Sequence, residues 1–123
     1  MHKHKILMID DEQDILNVLE KFFSRKKMFD VVSFTRPQKA LEYLQTNKVD
    51  LVLTDIMMPE INGVEILTNV KEHHKGTKVI MMTAFSTLDK VLECEKLGAD
   101  DYVTKPFISL RDVEGKILDQ LGM

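Results

Sequence analysis

Apolar residues along this chain fall into two alternating patterns. Ile6-Leu7-Met8-Ile9, Leu51-Val52-Leu53 and Val79-Ile80-Met81-Met82 are short unbroken runs, as expected of strands covered on both faces of a parallel sheet. Val31-Val32-Ser33-Phe34 and Tyr102-Val103-Thr104 are more polar and read as strands nearer the edges. Between the runs lie segments with helical spacing. Their stripes are Ile15, Val18, Leu19, Phe22 and Phe23; Ala40, Leu41 and Leu44; and Val64, Leu67 and Val70. Two more follow: Leu88, Val91 and Leu92, then Leu110, Val113, Ile117 and Leu121. Thr35 with Gln38, Asn62 with Glu65, Ser86 with Asp89 and Ser109 with Asp112 supply capping chemistry at the helix starts. Gly76, Gly98 and Gly122 mark the stops. The order is strand then helix, five times from Lys5 to Leu121, which implies parallel strands, right-handed crossovers and a doubly wound α/β sheet with helices on both faces.

At 123 residues, 44% hydrophobic and 30% charged, the chain has the size and composition of one soluble globular domain, residues 1–123. No linker or low-complexity tract is visible, so an output domain is not expected in this chain. No apolar run approaches the length of a membrane span. The basic start Met1-His2-Lys3-His4-Lys5 precedes too few apolar residues to act as a signal peptide. The single cysteine, Cys94, suits a reducing cytoplasm. A net charge of −3 offers no bulk positive field for direct nucleic-acid or membrane binding.

In open α/β sheets ligands bind beyond the carboxyl ends of the strands. The first strand delivers Asp10 and Asp11 there, the third Asp55, the fourth Thr83, and the fifth Lys105 followed by Pro106. Singly, each has a plainer reading as a helix cap, loop residue or solvated charge. Together they gather three carboxylates, a hydroxyl and an ammonium on one rim. Two carboxylates about 4 Å apart at an effective dielectric near 20 repel by about 4 kcal/mol, so such a group calls for a cation. An all-oxygen set without Cys or His suits Mg²⁺ or Mn²⁺. A carboxylate beside such an ion can act as a nucleophile toward phosphorus, with Thr83 and Lys105 placed to meet phosphoryl oxygens.

These residues have a familiar arrangement. Asp10-Asp11 after an apolar strand, Leu51 to Pro59 with Gly63, Met82-Thr83-Ala84, and Gly98 to Phe107 resemble the receiver domain of two-component response regulators over essentially the whole chain. The resemblance implies the flavodoxin-like strand order 2-1-3-4-5. It implies Asp55 as phosphoacceptor and a metal held by Asp11, Asp55 and the main-chain carbonyl of Met57, with Asp10 assisting through metal-bound water. It further implies Thr83 and Tyr102 as a switch pair, and Lys105 as the phosphate-binding cation before a cis Pro106. The phosphodonor would be a sensor histidine kinase or phosphotransfer protein. The readout would be a downstream protein on the face of the fourth helix, fifth strand and fifth helix. Met57 and Phe85, two residues after Asp55 and Thr83, tune dephosphorylation in such domains; both are apolar here, so a long-lived phosphoryl group is expected.

Other readings of the same residues fit less well. A haloacid-dehalogenase-like phosphohydrolase also uses an aspartyl phosphate, but wants a second Asp where Met57 stands. A pseudoreceiver that never takes phosphate would not need Asp10, Asp11, Asp55, Thr83 and Lys105 together. His73-His74 reads as a pair opposing a helix dipole, Cys94 as a small packed residue, Met57-Met58 and Met81-Met82 as core filler and site wall, and Lys26-Lys27 as a solvated helix end.

Overall fold

The computed structural model describes residues 3–84 and 88–123. Strands and helices alternate along them: β1 (His4–Ile9), α1 (Gln13–Phe23), β2 (Phe29–Phe34), α2 (Pro37–Thr46), β3 (Leu51–Asp55), α3 (Gly63–His73), β4 (Lys78–Thr83), α4 (Leu88–Lys96), β5 (Asp101–Thr104) and α5 (Leu110–Gln120). All four strand pairings are parallel, in the order β2-β1-β3-β4-β5. This is the doubly wound α/β architecture expected from the sequence pattern, with the strand order that the resemblance implies. The unbroken apolar runs form the three central strands, and the two more polar segments form the edges. Every residue of β3 is buried, whereas β2 and β5 are mostly half-buried.

Successive side chains of a strand point to opposite faces, so each central strand feeds two cores. Leu7, Ile9, Val52, Val79 and Met81 meet Ala40 and Leu44 of α2, Ile66, Leu67 and Val70 of α3, and Val91 and Cys94 of α4. Ile6, Met8, Leu51, Leu53, Ile80 and Met82 meet Leu16, Leu19 and Phe23 of α1 and Val113 and Ile117 of α5. Two helices on one face and three on the other leave the strand ends free at both poles.

Helix rotation is where the structure departs from the sequence pattern. In α1 the buried side chains are Leu16, Leu19 and Phe23, while Val18 is 49% exposed. The segment carries overlapping apolar stripes one residue, or about 100°, apart, and packing against the sheet selects one of them. In α3 Ile66 joins Leu67 and Val70 inside, with Val64 only half-buried; in α4 Val91 and Cys94 face inward and Leu92 stays exposed. Asn62 and Ser109 cap α3 and α5 as expected, accepting from the N–H groups of Glu65 (3.1 Å) and Asp112 (3.0 Å). Thr35 does not cap α2: Arg36 occupies that position, without a side-chain bond, and Pro37 opens the helix. Gly98 and Gly122 follow α4 and α5 with φ of 102° and 76°, as helix stops do. Gly76 instead lies in the loop after α3, whose last turn is closed by the His74 N–H on the Val70 carbonyl. The Ser86 cap lies outside the described residues. Lys26 is more than a solvated charge, since its ammonium lies 4.9 Å from the Phe22 ring centroid and 3.4 Å from Glu114, linking α1 to α5.

Candidate functional site

Strand register assembles the rim at the carboxyl edge of the sheet. Ile9 is level with Thr54, Asp55 with Met82, and Thr83 with Thr104. One step beyond these pairs the chain turns outward, placing Asp10 beside Asp55 and Lys105 close to both. The Lys105 N–H donates to the Thr83 carbonyl at 2.7 Å, which continues the ladder past the end of β5. The Lys105–Pro106 peptide bond is cis.

Asp10 and Asp55 are buried and Asp11 is exposed. One oxygen from each of the three lies within 4.8 Å of the others, so the cluster could hold a metal ion. Among the described residues no other group of three His, Cys, Asp or Glu side chains converges in this way. Lys105 Nζ lies 2.8 Å from Asp10 Oδ2 and 3.2 Å from Asp55 Oδ2, with 14% of its side chain exposed. Asp10 Oδ1 accepts the Glu12 N–H at 2.9 Å. The other oxygen of Asp55, Oδ1, takes no hydrogen bond from any described residue.

One lysine does not neutralise three carboxylates. Burial and the neighbouring Asp10 charge push Asp55 up from the usual 3.8 to about 6, against the opposing pull of Lys105. Burial disfavours the Lys105 ammonium, but its bond to Asp10 and the charges of both aspartates outweigh that and hold its pKa above the usual lysine range. The rim is therefore an oxygen-lined pocket with surplus negative charge.

Backbone packing fixes the position of Asp55. The Gly63 N–H donates to the Ile56 carbonyl at 2.7 Å, and a Cβ at Gly63 would fall 2.3 Å from the Asp55 carbonyl oxygen. Only glycine lets the start of α3 lie this close to the end of β3. Between them Ile56 and Met58 turn into the core, while Met57 is 55% exposed and walls the rim. Thr83 is buried and its hydroxyl donates to the Ala84 carbonyl at 3.0 Å. Tyr102 is level with Met81, so it lies on the same sheet face as Thr83, one diagonal step away. Lys116 Nζ lies 5.2 Å from the Tyr102 ring centroid and donates to the Tyr102 carbonyl at 2.8 Å. Phe85 lies outside the described residues. Sequence reasoning did not find Lys116 or its contacts, because a lysine on an amphipathic helix carries no local sign of what it faces.

A family model described as the response regulator receiver domain matches residues 6–117. The chain belongs to that family. This receiver is 38% identical over 114 residues to the alkaline phosphatase synthesis transcriptional regulatory protein PhoP of Bacillus subtilis, covering 92% of the chain and 46% of the relative. It is 37% identical over 106 residues to the response regulator protein PilR of Pseudomonas aeruginosa, covering 86% of the chain and 24% of the relative. The receiver thus spans less than half the length of these curated relatives. Among solved structures, a CheY-like receiver domain protein from Methanospirillum hungatei superposes with a TM-score of 0.91 at 28% identity, covering 98% of this chain and 94% of the other. No helix among the described residues is long and apolar enough to cross a membrane.

Proposed function

We propose that this receiver is a cytoplasmic signalling switch whose phosphoacceptor is Asp55. The supporting observation is the convergence of Asp10, Asp11 and Asp55 within 4.8 Å, with Lys105 reaching two of them and no described residue bonded to Asp55 Oδ1. A carboxylate oxygen of Asp55 attacks the phosphorus of a phosphohistidine on a sensor kinase or phosphotransfer protein. The P–O bond forms, the P–N bond breaks, and the departing imidazole nitrogen takes up a proton. Lys105, freed from part of its pairing, meets a phosphoryl oxygen, and the buried Thr83 hydroxyl exchanges the Ala84 carbonyl for another.

The donor set fits a hard divalent cation: the oxygens are carboxylate, crowded and undercompensated, with no Cys or His among the clustered described residues. Asp10, Asp11, Asp55 and the Met57 main-chain carbonyl would hold Mg²⁺ or Mn²⁺. Bound there, the ion supplies positive charge against the oxygens of the transferring phosphoryl group.

Met57 and Ile108, on loops at the rim, are 55% and 85% exposed and give a donor protein apolar area beside the acidic pocket. Movement of Thr83 opens space on the sheet face it shares with Tyr102, and the Tyr102 ring follows. That change reaches the α4-β5-α5 face, where the exposed Leu92 and Leu97 would meet a downstream protein. Met57 and Phe85 set the lifetime. Neither can orient a water, so dephosphorylation assisted by the receiver itself is slow.

Intact mass after incubation with acetyl phosphate and Mg²⁺ tests the reading. One added phosphoryl group is expected on the wild type and none on Asp55→Asn. Equal labelling of both would remove Asp55 from the role, and catalytic release of phosphate from unrelated esters would favour a hydrolase.

A further inference from the structure

At the pole opposite the aspartates, the loops between helices and strands enclose an open concavity of about 680 Å³ lined by Lys3, Lys5, Lys48 and Lys75. Its charge stands against the trend of the chain, which is −3 overall. Elsewhere Lys26, Lys39, Lys71, Lys78, Lys90, Lys105 and Lys116 each lie within 4.0 Å of a carboxylate, while Lys21, Lys27 and Lys96 stand singly with no ion pair to a described residue. None of the four lysines of the concavity has an ion pair with any described residue. Lys5 rests against Tyr43 instead, 5.6 Å from the ring centroid. Asp30 and Asp50 also line the concavity, but Asp50 Oδ2 already accepts the Lys5 N–H at 2.7 Å. Four ammonium groups set against the two carboxylates of Asp30 and Asp50 leave the hollow with a local surplus of positive charge.

A second depression of about 430 Å³ adjoins it, between α2 and α3, and the two share His73 and His74 as a common wall. This second part is lined by Leu41 and Leu44 with the amides of Gln45 and Asn69. A basic hollow beside a cleft that mixes aliphatic side chains with amides and imidazoles matches a ligand with clustered anionic groups at one end and a flat, weakly polar ring system at the other.

We propose that this pole binds a nucleoside polyphosphate, its phosphates among Lys3, Lys5, Lys48 and Lys75 and its base along Leu41, Leu44, Gln45 and Asn69. The test uses the whole chain in EDTA, so that no divalent ion recruits phosphate to the aspartate rim. ATP and inorganic tripolyphosphate are titrated separately and followed by calorimetry and amide chemical shifts. Saturable 1:1 binding of ATP, at least about tenfold tighter than tripolyphosphate, is expected. The double variant Lys48→Glu/Lys75→Glu should weaken it by at least about tenfold, and Asp55→Asn should leave it unchanged. Both lysines are exposed, so the fold tolerates their replacement, and the neutral pair Lys48→Gln/Lys75→Gln should give an intermediate loss. Equal affinity for ATP and tripolyphosphate would overturn the nucleoside assignment. No saturation by about 1 mM, or binding indifferent to the lysine variants, would overturn the site.

Discussion

Asp55→Asn should make the metal-free receiver more stable, and by an amount that depends on pH. The carboxylate is forced into a buried place beside Asp10, which lifts its pKa from 3.8 in the unfolded chain to about 6 in the fold. A difference of about two units corresponds to about 3 kcal/mol at 1.36 kcal/mol per unit, an upper value once side-chain relaxation and water entry are allowed for. Below pH 3.8 the group is protonated in both states and imposes no penalty. Between pH 3.8 and about 6 the unfolded chain releases the proton more readily than the fold, so wild-type stability falls; above about 6 the full penalty is present. The asparagine amide keeps the shape without the charge. Urea melts in EDTA should therefore show a small gap near pH 4 that widens to roughly 2 kcal/mol by pH 8, or about 5–10 °C in Tm. Added Mg²⁺ should narrow the gap, because the ion binds the folded wild type more strongly than the variant. A gap that stays constant with pH, or a variant less stable than wild type at pH 8, would refute the crowding of charge at Asp55.

Lys105→Met should act in the opposite direction. Removing the cation that pairs with both Asp10 and Asp55 should destabilise the metal-free protein by about 3 kcal/mol in urea melts, while calorimetry shows Mg²⁺ binding tightened on the order of tenfold. Gly63→Ala, which drives a methyl against the Asp55 carbonyl, should cost about 1–3 kcal/mol and slow acetyl-phosphate labelling in a mass-spectrometric time course. In α1, Leu16→Ala should cost about 2–5 kcal/mol in denaturant melts, whereas Val18→Lys should stay within about 0.5 kcal/mol; the reverse ranking would mean the helix is rotated otherwise. Burial pushes the Cys94 thiol up to about 11, so thiol-reagent labelling of the native protein near pH 8 should be far slower than after unfolding. Its contribution to stability is kept below pH 9, the unfolded value, and lost as pH rises toward about 11.

Element order, the parallel sheet and the rim residues were legible in the chain because they rest on local rules. An unbroken apolar run can only be buried on both sides, and the residue that ends it must emerge at the strand's carboxyl edge. Asp10, Asp55 and Thr83 each end such a run and Lys105 ends the more polar edge strand, so their convergence could be anticipated from the chain alone. The caps at Asn62 and Ser109 were legible for the same reason, their partners being three residues away. What the sequence left undecided was how each helix turns about its axis. Ile15-Leu16 and Val18-Leu19 offer overlapping stripes, and only contact with the sheet separates Leu16 from Val18. The closeness of Gly63 to the Asp55 carbonyl, the contacts of Lys116 with Tyr102 and the unpaired lysines of the opposite pole were likewise invisible. Each joins residues far apart in the chain, and such distances are set by packing of the whole fold and not by any neighbouring residue.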